Sequence, residues 1–378
     1  MALQNRKQNS HRLLFLKIHR VIGIFIGILL IIIGTTGSLL VFHDRLGAAV
    51  YQQLTHVTPQ EKTVSIDAIA TSVQQADPNA EIEFMLLPKE PTESLKVKVK
   101  SSDRELAVFV NPYTGAILGW WGFEDILTHF LLKIHMTLLA GKVGEIVVGI
   151  CGLLLLILCL TGLTLWTGWR RLMPAFKIRW KSPRHILSFD LHQVSGIIAV
   201  VFLIFISMTG IFFVVAHNSQ AFLSLFIDRP TEAELVAIDP QTKPMSIVEA
   251  IQISDRQLPD SKTTFLAFAK EERQITIHKK YPNDIFDSRL SSVAIDRYTG
   301  KVLSVQKVIK PTTGNRIAKL ISDLHFGTFS GLFSRVLYVF VGLTPTILFI
   351  TGSILYFFRH RPKIVTRKSR KLIVEKNK

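Results

Sequence analysis

Twelve histidines accompany only two cysteines in this chain, and neutral imidazole is the commonest protein ligand for metals. Four of the twelve fall in matching pairs. His19 and His192 sit in Leu16-Lys-Ile-His19-Arg-Val-Ile-Gly23 and Phe189-Asp-Leu-His192-Gln-Val-Ser-Gly196. His135 and His325 each precede a glycine by six residues, Gly141 and Gly331. Two neutral imidazoles facing each other from different helices are what a six-coordinate b-type haem requires, one nitrogen on each side of the iron. No Cys-x-x-Cys-His occurs, so such a haem would be held without a covalent link. Glycines one turn from the ligands (Gly23, Gly196), or just after them (Gly141, Gly331), would let helices and a macrocycle approach closely. A single histidine at a membrane edge more often anchors in headgroups or caps a helix; the paired placement argues against that reading here.

The remaining histidines say less. His43 and His217 end apolar runs and miss strict repeat alignment by one residue; a helix cap, a supporting role to the ligands or a substrate-side role remain open for both. His11, His56, His129, His185, His278 and His360 read as surface residues. No residue stands out as catalytic in its own right.

Four apolar runs must position the pairs. They are Val21–Phe42, Val143–Trp166 (boundary about 143–168), Val194–Ala216 (193–216) and Leu332–Phe358 (332–358), each long enough for a bilayer that needs about 20 residues. The first run exceeds the roughly 7–15 apolar residues of a signal peptide, so an uncleaved span is expected. Pro345 falls inside the fourth and is expected to kink it. Cys151 and Cys159 lie two turns apart in the second, too far to bond, and read as small buried apolar residues. Glu145 and Arg335 occupy similar places and could pair or line a polar path.

The 378 residues are 48% hydrophobic and 19% charged, which disfavours both disorder and an ordinary cytosolic enzyme. The net charge of +17 is local. Segments 1–20, 169–192 and 359–378 hold 20 basic and 2 acidic residues, and the rest holds 25 and 26. Basic segments flanking spans are the positive-inside pattern, not a nucleic-acid footprint. Residues 1–20, 169–192 and 359–378 are therefore expected in the cytoplasm. The long segments 43–142 and 217–331 are expected outside, in the periplasm of a bacterial inner membrane. Trp120, Trp121, Trp166 and Trp169 suit aromatic belts.

The two halves repeat. Thr36-Gly37 aligns with Thr209-Gly210, Thr161-Gly162 with Thr351-Gly352, and Tyr113-Thr114-Gly115 with Tyr298-Thr299-Gly300. Each outer segment reads as a helix (Ser65–Gln75; Ser246–Gln257) followed by alternating strands, in the second near Thr264–Ala269, Gln274–His278, Ser291–Asp296 and Lys301–Val305. The fold class expected is thus a polytopic α-helical membrane protein: four transmembrane helices as an internal duplication, with two periplasmic α+β domains. The 34 residues from His135 to Trp169 would make about 50 Å of straight helix, so a surface helix bending near Gly141 is expected.

This order of elements resembles the PepSY-associated transmembrane family, iron-regulated membrane proteins that include a siderophore reductase of the ferrioxamine type. The residues carrying the resemblance are Leu16-Lys-Ile-His19-Arg with Gly23, Lys133-Ile-His135-Met-Thr137 through Gly141, and Asp190-Leu191-His192 with Gly196. Leu324-His325-Phe-Gly327, Thr351-Gly352 through Arg359 and the two Tyr-Thr-Gly turns complete it. The resemblance implies two periplasmic PepSY-like domains and two haems b. His19 and His192 would hold the inner iron, His135 and His325 the outer. Electrons would pass outward to a ferric siderophore or another Fe(III) chelate, releasing Fe(II). Some relatives carry a fused flavodoxin- or reductase-type domain that has no counterpart in this sequence, so a separate cytoplasmic reductase or a membrane quinol is the expected donor. The bilayer is a further partner, and nucleic acid is not. The rivals are a non-enzymatic, membrane-anchored PepSY module that binds or inhibits a protein such as a protease, and a transporter. Few ionisable residues lie mid-span, against proton-coupled transport.

Overall fold

The computed structural model describes residues 2–102, 104–122, 126–219, 222, 243–269, 273–282, 291–308 and 312–360. Of the expected basic tail, residues 361–378 lie outside the described residues. The chain divides into two compact units.

The first unit gathers the chain up to Ser38, His135–Val214 and the chain from Ser330. Its framework is four long helices: α1 (Ala2–Leu40), α6 (Gly141–Leu165), α8 (Arg184–Asn218) and α11 (Gly331–Arg359). All four are long and apolar enough to cross a membrane. Large apolar side chains such as Phe25, Ile150, Ile198 and Phe340 stay exposed on their outer faces, as lipid-facing residues do. Inward, Ile26 and Leu30 of α1 bury against Cys151 of α6. Cys159 joins Ala199, Val200 and Leu203 of α8 and Val341 of α11 in a second cluster. Both cysteines are free and buried, as their sequence context predicts. Where α1 crosses α11, the one Ser38 hydroxyl proton is shared between the Gly34 carbonyl of its own helix at 2.9 Å and the Val339 carbonyl at 3.0 Å. Pro345 is buried within an unbroken α11.

The approach to α6 differs from the expected bent helix. Helix α5 (Leu127–Thr137) stops, and α6 starts anew at Gly141. Between them Leu138 and Leu139 take φ of 49° and 60°, and Gly141 takes 53°. Leucine rarely adopts this left-handed region, so the change of direction expected near Gly141 is a full break made at residues that do not favour it. Gly141 and Gly331 also differ from expectation. A Cβ at either would meet nothing within 4 Å, and both have positive φ. Their glycine serves backbone conformation rather than close approach.

The second unit comprises Leu39–Ile134 and Val215–Phe329. Two short helices, α2 (His43–Val50) and α3 (Gln52–Thr55), lead to α4 (Ile66–Ala76) and strands β1 (Ala80–Leu86), β2 (Leu95–Ser101), β3 (Arg104–Val110) and β4 (Ile117–Gly122). Later, α9 (Ile247–Gln257) precedes β5 (Lys262–Ala269), β6 (Gln274–Lys280), β7 (Ser291–Asp296) and β8 (Val302–Gln306). Expected as two domains, the strands form one antiparallel sheet ordered β4-β3-β2-β1-β5-β6-β7-β8. Each meander leaves the edge of its first strand open, and β1 and β5 close on one another at Phe84↔Ala267 to Leu86↔Phe265.

Alternation puts Ile82, Met85, Val97 and Val99 on one face with Leu266, Ile275, Ile277 and Val293. Helices α4 (Ile69, Val73) and α9 (Ile247, Ala250) cover that face. Both helices start as their sequences predict, with Ser65 and Ser246 accepting from the backbone three residues on. Asp67 of α4 also caps α9, accepting from Ile247 N at 2.6 Å and Val248 N at 3.0 Å. The Tyr-Thr-Gly turns place Gly115 and Gly300 at φ of 73° and 72°, the conformation that makes glycine the favoured residue there.

Candidate functional site

His19 projects from α1 and His192 from α8, and their ring centroids lie 6.2 Å apart with planes at 79°. Each ring is held by a third helix. His19 Nδ1 lies 2.9 Å from Thr161 Oγ1 of α6. His192 Nδ1 lies 3.0 Å from Thr351 Oγ1 of α11 and 3.1 Å from the Leu348 carbonyl.

The protons in this arrangement can be placed. A carbonyl only accepts, so His192 Nδ1, bound to the Leu348 carbonyl, must carry the hydrogen. The threonine hydroxyls agree. Thr161 donates to the Ile157 carbonyl at 2.7 Å, and Thr351 to that of Ile347 at 2.6 Å. With its one proton directed into its own helix, each hydroxyl can only accept from the imidazole. Both neutral rings therefore leave Nε2 bare, with its lone pair available. Neither ring has another hydrogen-bond partner among the described residues.

The ring edge lies over the glycine that follows each threonine. A Cβ at Gly162 would stand 3.3 Å from His19 Cε1, and one at Gly352 would stand 3.4 Å from His192 Cε1. Gly23 and Gly196 make only ordinary contacts, at 3.8 Å and 3.6 Å, with Leu158 and Leu348. The segment before His192 is also clamped. Arg179 binds Asp190 through both Nε (2.8 Å) and a terminal guanidinium nitrogen (2.7 Å). Gln193 holds the Ala175 carbonyl at 2.8 Å.

His135 ends α5 and belongs to the same unit. Its Nδ1 donates to the Ile33 carbonyl at 2.8 Å and lies 3.3 Å from Thr36 Oγ1, which itself donates to Ile32 O at 2.7 Å. A Cβ at Gly37 would lie 2.8 Å from His135 Cε1. Burial pushes the imidazole below its ordinary pKa, partly offset by the Ile33 bond, so the ring is neutral near pH 7. Three histidines thus meet a Thr-Gly pair through Nδ1 and the threonine hydroxyl, and two of them, His135 and His192, also meet the carbonyl three residues before the threonine. Thr209 is back-bonded likewise, to Phe205 O at 2.7 Å, and Gly210 follows it.

His325 belongs to the second unit, in the last turn of α10 (Thr313–Phe326), where Gly327 closes the helix at φ 68°. The structure thus brings His19 and His192 together within one unit and assigns His135 and His325 to different units. His43 is exposed, its Nδ1 3.2 Å from Leu40 O, which is the helix-end reading. His217 is exposed in the last turn of α8. Of the six expected surface histidines, His185 is half-buried and stacks on Phe358 at 4.0 Å, and His129 and His278 are also half-buried. The Glu145 carboxylate is buried and pairs with Lys142 at 3.4 Å. Among the described residues no cluster of three or more His, Cys, Asp or Glu could hold a metal ion.

The threonines carry the part of the site that sequence reasoning missed. Their pairing with glycine was visible as a repeat, but not their contact with the histidines.

The family described as PepSY-associated TM region matches residues 16–359. The chain belongs to this family. A search of curated proteins returned no match. The four apolar helices and the family together make this a membrane protein. The PepSY-associated TM match begins three residues before His19 and ends at Arg359. It takes in all four paired histidines and the Thr-Gly pairs at Thr36, Thr161, Thr209 and Thr351.

Proposed function

We propose that the protein is a b-type haem membrane reductase of the bacterial inner membrane, moving electrons outward to a ferric siderophore or another Fe(III) chelate and releasing Fe(II). His19 and His192 would hold one haem by Nε2. For a second haem, His135 and His325 are proposed from the sequence repeat. The proposal includes an internal duplication, cytoplasmic termini, and a separate cytoplasmic reductase or a quinol as donor.

The observation that carries the reading is the pair of bare Nε2 atoms on rings 6.2 Å apart. His19 and His192, on different helices, would each offer one Nε2 to a single iron. Two imidazoles cannot complete a protein-only site of the usual three or four ligands. A metal there needs a group that brings its own equatorial donors, and a porphyrin does. Bound haem would supply reversible one-electron transfer.

The chain's own residues would do the rest. Thr161 and Thr351 orient the imidazoles and hold the Nδ1 protons. The apolar walls of α1, α6, α8 and α11 keep water from the site. Arg179 and Gln193 fix the segment on either side of His192. Depth matters as well. Along α1, His19 and the His135 partner Thr36 are 17 residues apart, about 25 Å of helix at 1.5 Å per residue. Ligands at those two levels divide an apolar core of about 30 Å.

The test is a visible spectrum of the detergent-purified protein from haem-replete cells, before and after dithionite. A sharp reduced α-band that is halved or lost in His192→Ala supports the reading, and reoxidation by ferric siderophore supports the activity. A colourless wild-type protein overturns it and favours the binding module.

A further inference from the structure

The geometry points to Thr161-Gly162 and Thr351-Gly352 as positioning seats that fix the tautomer of His19 and His192 before any cofactor arrives and set the electron-donor strength of each ligand afterwards. The second half of this statement rests on the haem reading above; the first half does not.

Threonine in a membrane helix often bonds back to its own carbonyls, and alone that means little. Three features coincide here that back-bonding does not require. The hydroxyl oxygen receives an imidazole Nδ1 from another helix, at 2.9 Å for Thr161 and 3.0 Å for Thr351. At His192 the same Nδ1 also meets the carbonyl three residues earlier, that of Leu348. The next residue is a glycine over whose α-carbon the ring edge rests, with 3.3 Å and 3.4 Å left for any Cβ. Thr36, Ile33 and Gly37 repeat all three around His135. Among the described residues the hydroxyl acceptor with its glycine occurs three times, and the carbonyl joins them at His192 and His135.

Its chemical consequence has a sign. An imidazole whose N–H is shared between two acceptors gains imidazolate character, which strengthens its other nitrogen as a donor to a metal. A stronger axial donor favours the ferric state and lowers the midpoint potential. Thr→Val keeps the shape and removes one acceptor, so the potential rises. Thr→Ser restores the hydroxyl, so the potential returns. A purely structural threonine would show no such restoration through its hydroxyl.

Two measurements on the full chain decide the matter. First, protein with 15N-labelled histidine from haem-depleted cells is examined in bilayers by solid-state NMR, with His19→Gln and His192→Gln giving the assignments. Wild type is expected to show Nδ1–H rings at both positions, with the Nδ1 resonances moving toward weaker hydrogen bonding in Thr161→Val and Thr351→Val. Nε2–H rings, or resonances indifferent to both variants, overturn the seat. Second, spectroelectrochemistry of the loaded protein is expected to give an upward shift in each Val variant and a wild-type value in each Ser variant. Unchanged potentials in Thr161→Val and Thr351→Val overturn the tuning. If wild type never takes up haem while the Nδ1–H signature is present, the haem reading fails and the seat stands.

Discussion

His135 rests against the bare α-carbon of Gly37: a β-carbon there would lie 2.8 Å from Cε1 of the ring. Real side chains do not approach so closely, and a ring tied by Nδ1 to Ile33 at 2.8 Å cannot slide aside without losing that bond. Gly37→Ala is therefore expected to displace His135, at a cost of about 1–3 kcal/mol typical of overpacking. The haem-to-protein ratio of the purified variant should fall from two toward one. Gly162→Ala, with 3.3 Å to His19, should be milder. A full complement of haem in Gly37→Ala would remove His135 from the ligand set.

Asp67 joins the two helices that cover the sheet. Its carboxylate takes the Ile247 and Val248 N–H groups, the first donors of α9, which have no partner within the helix. Asp67→Ala should destabilise the sheet unit by about 1–2 kcal/mol, the range for losing an N-terminal cap reinforced by charge. Asp67→Asn keeps an acceptor and should lose less. Limited proteolysis at rising temperature would show it; equal resistance in Asp67→Ala and wild type would show that the contact carries no stability.

Much of this was legible in the sequence, and the remainder was hidden for definite reasons. The spans show as unbroken apolar runs, and α4 and α9 show through Ser65, Ser246 and their spacing. The histidine pairs show because like residues surround them, as Gly23 and Gly196 do one turn after His19 and His192. The seats do not, because whether Thr161 meets His19 depends on the relative depth and rotation of two helices, which spacing along one helix cannot supply. The single sheet is hidden because β1 and β5 pair across segments remote in sequence, by backbone groups that any residue provides. The full break at Leu138 and Leu139 is hidden because leucine opposes the conformation it adopts there.

Asp296 gives the sheet unit an acid limit. Burial raises its pKa, but the Arg273 guanidinium at 3.1 Å and the Tyr298 N–H at 3.0 Å outweigh that, and the net shift is downward. A carboxylate held below its unfolded value, about 3.9, contributes stability that is complete above that pH and is lost as pH falls through the folded value. Thermal melts should thus drop below about pH 4, and Asp296→Asn should be less stable at neutral pH with a flatter acid limb. An acid limb equally steep in the variant would assign the sensitivity to other groups.

The crossing of α1 and α11 should tolerate little change. A Cβ on Gly342 would collide with Ser38 Oγ and stand 2.9 Å from the Gly34 carbonyl, and one on Gly34 would collide with the Gly342 carbonyl. Backbones this close gain dispersion contacts that lipid cannot replace, and Ser38 adds its bond to Val339 O. Gly342→Ala must separate the helices and should cost about 1–3 kcal/mol. Ser38→Ala removes only a hydrogen bond and should cost about 0.6 kcal/mol. The thermal midpoint in detergent should therefore fall clearly for Gly342→Ala and slightly for Ser38→Ala. Because α1 carries His19 and α11 carries Thr351, the glycine variant should also lose haem at a lower temperature than wild type. If Gly342→Ala melts with wild type, the close approach does not hold these helices together.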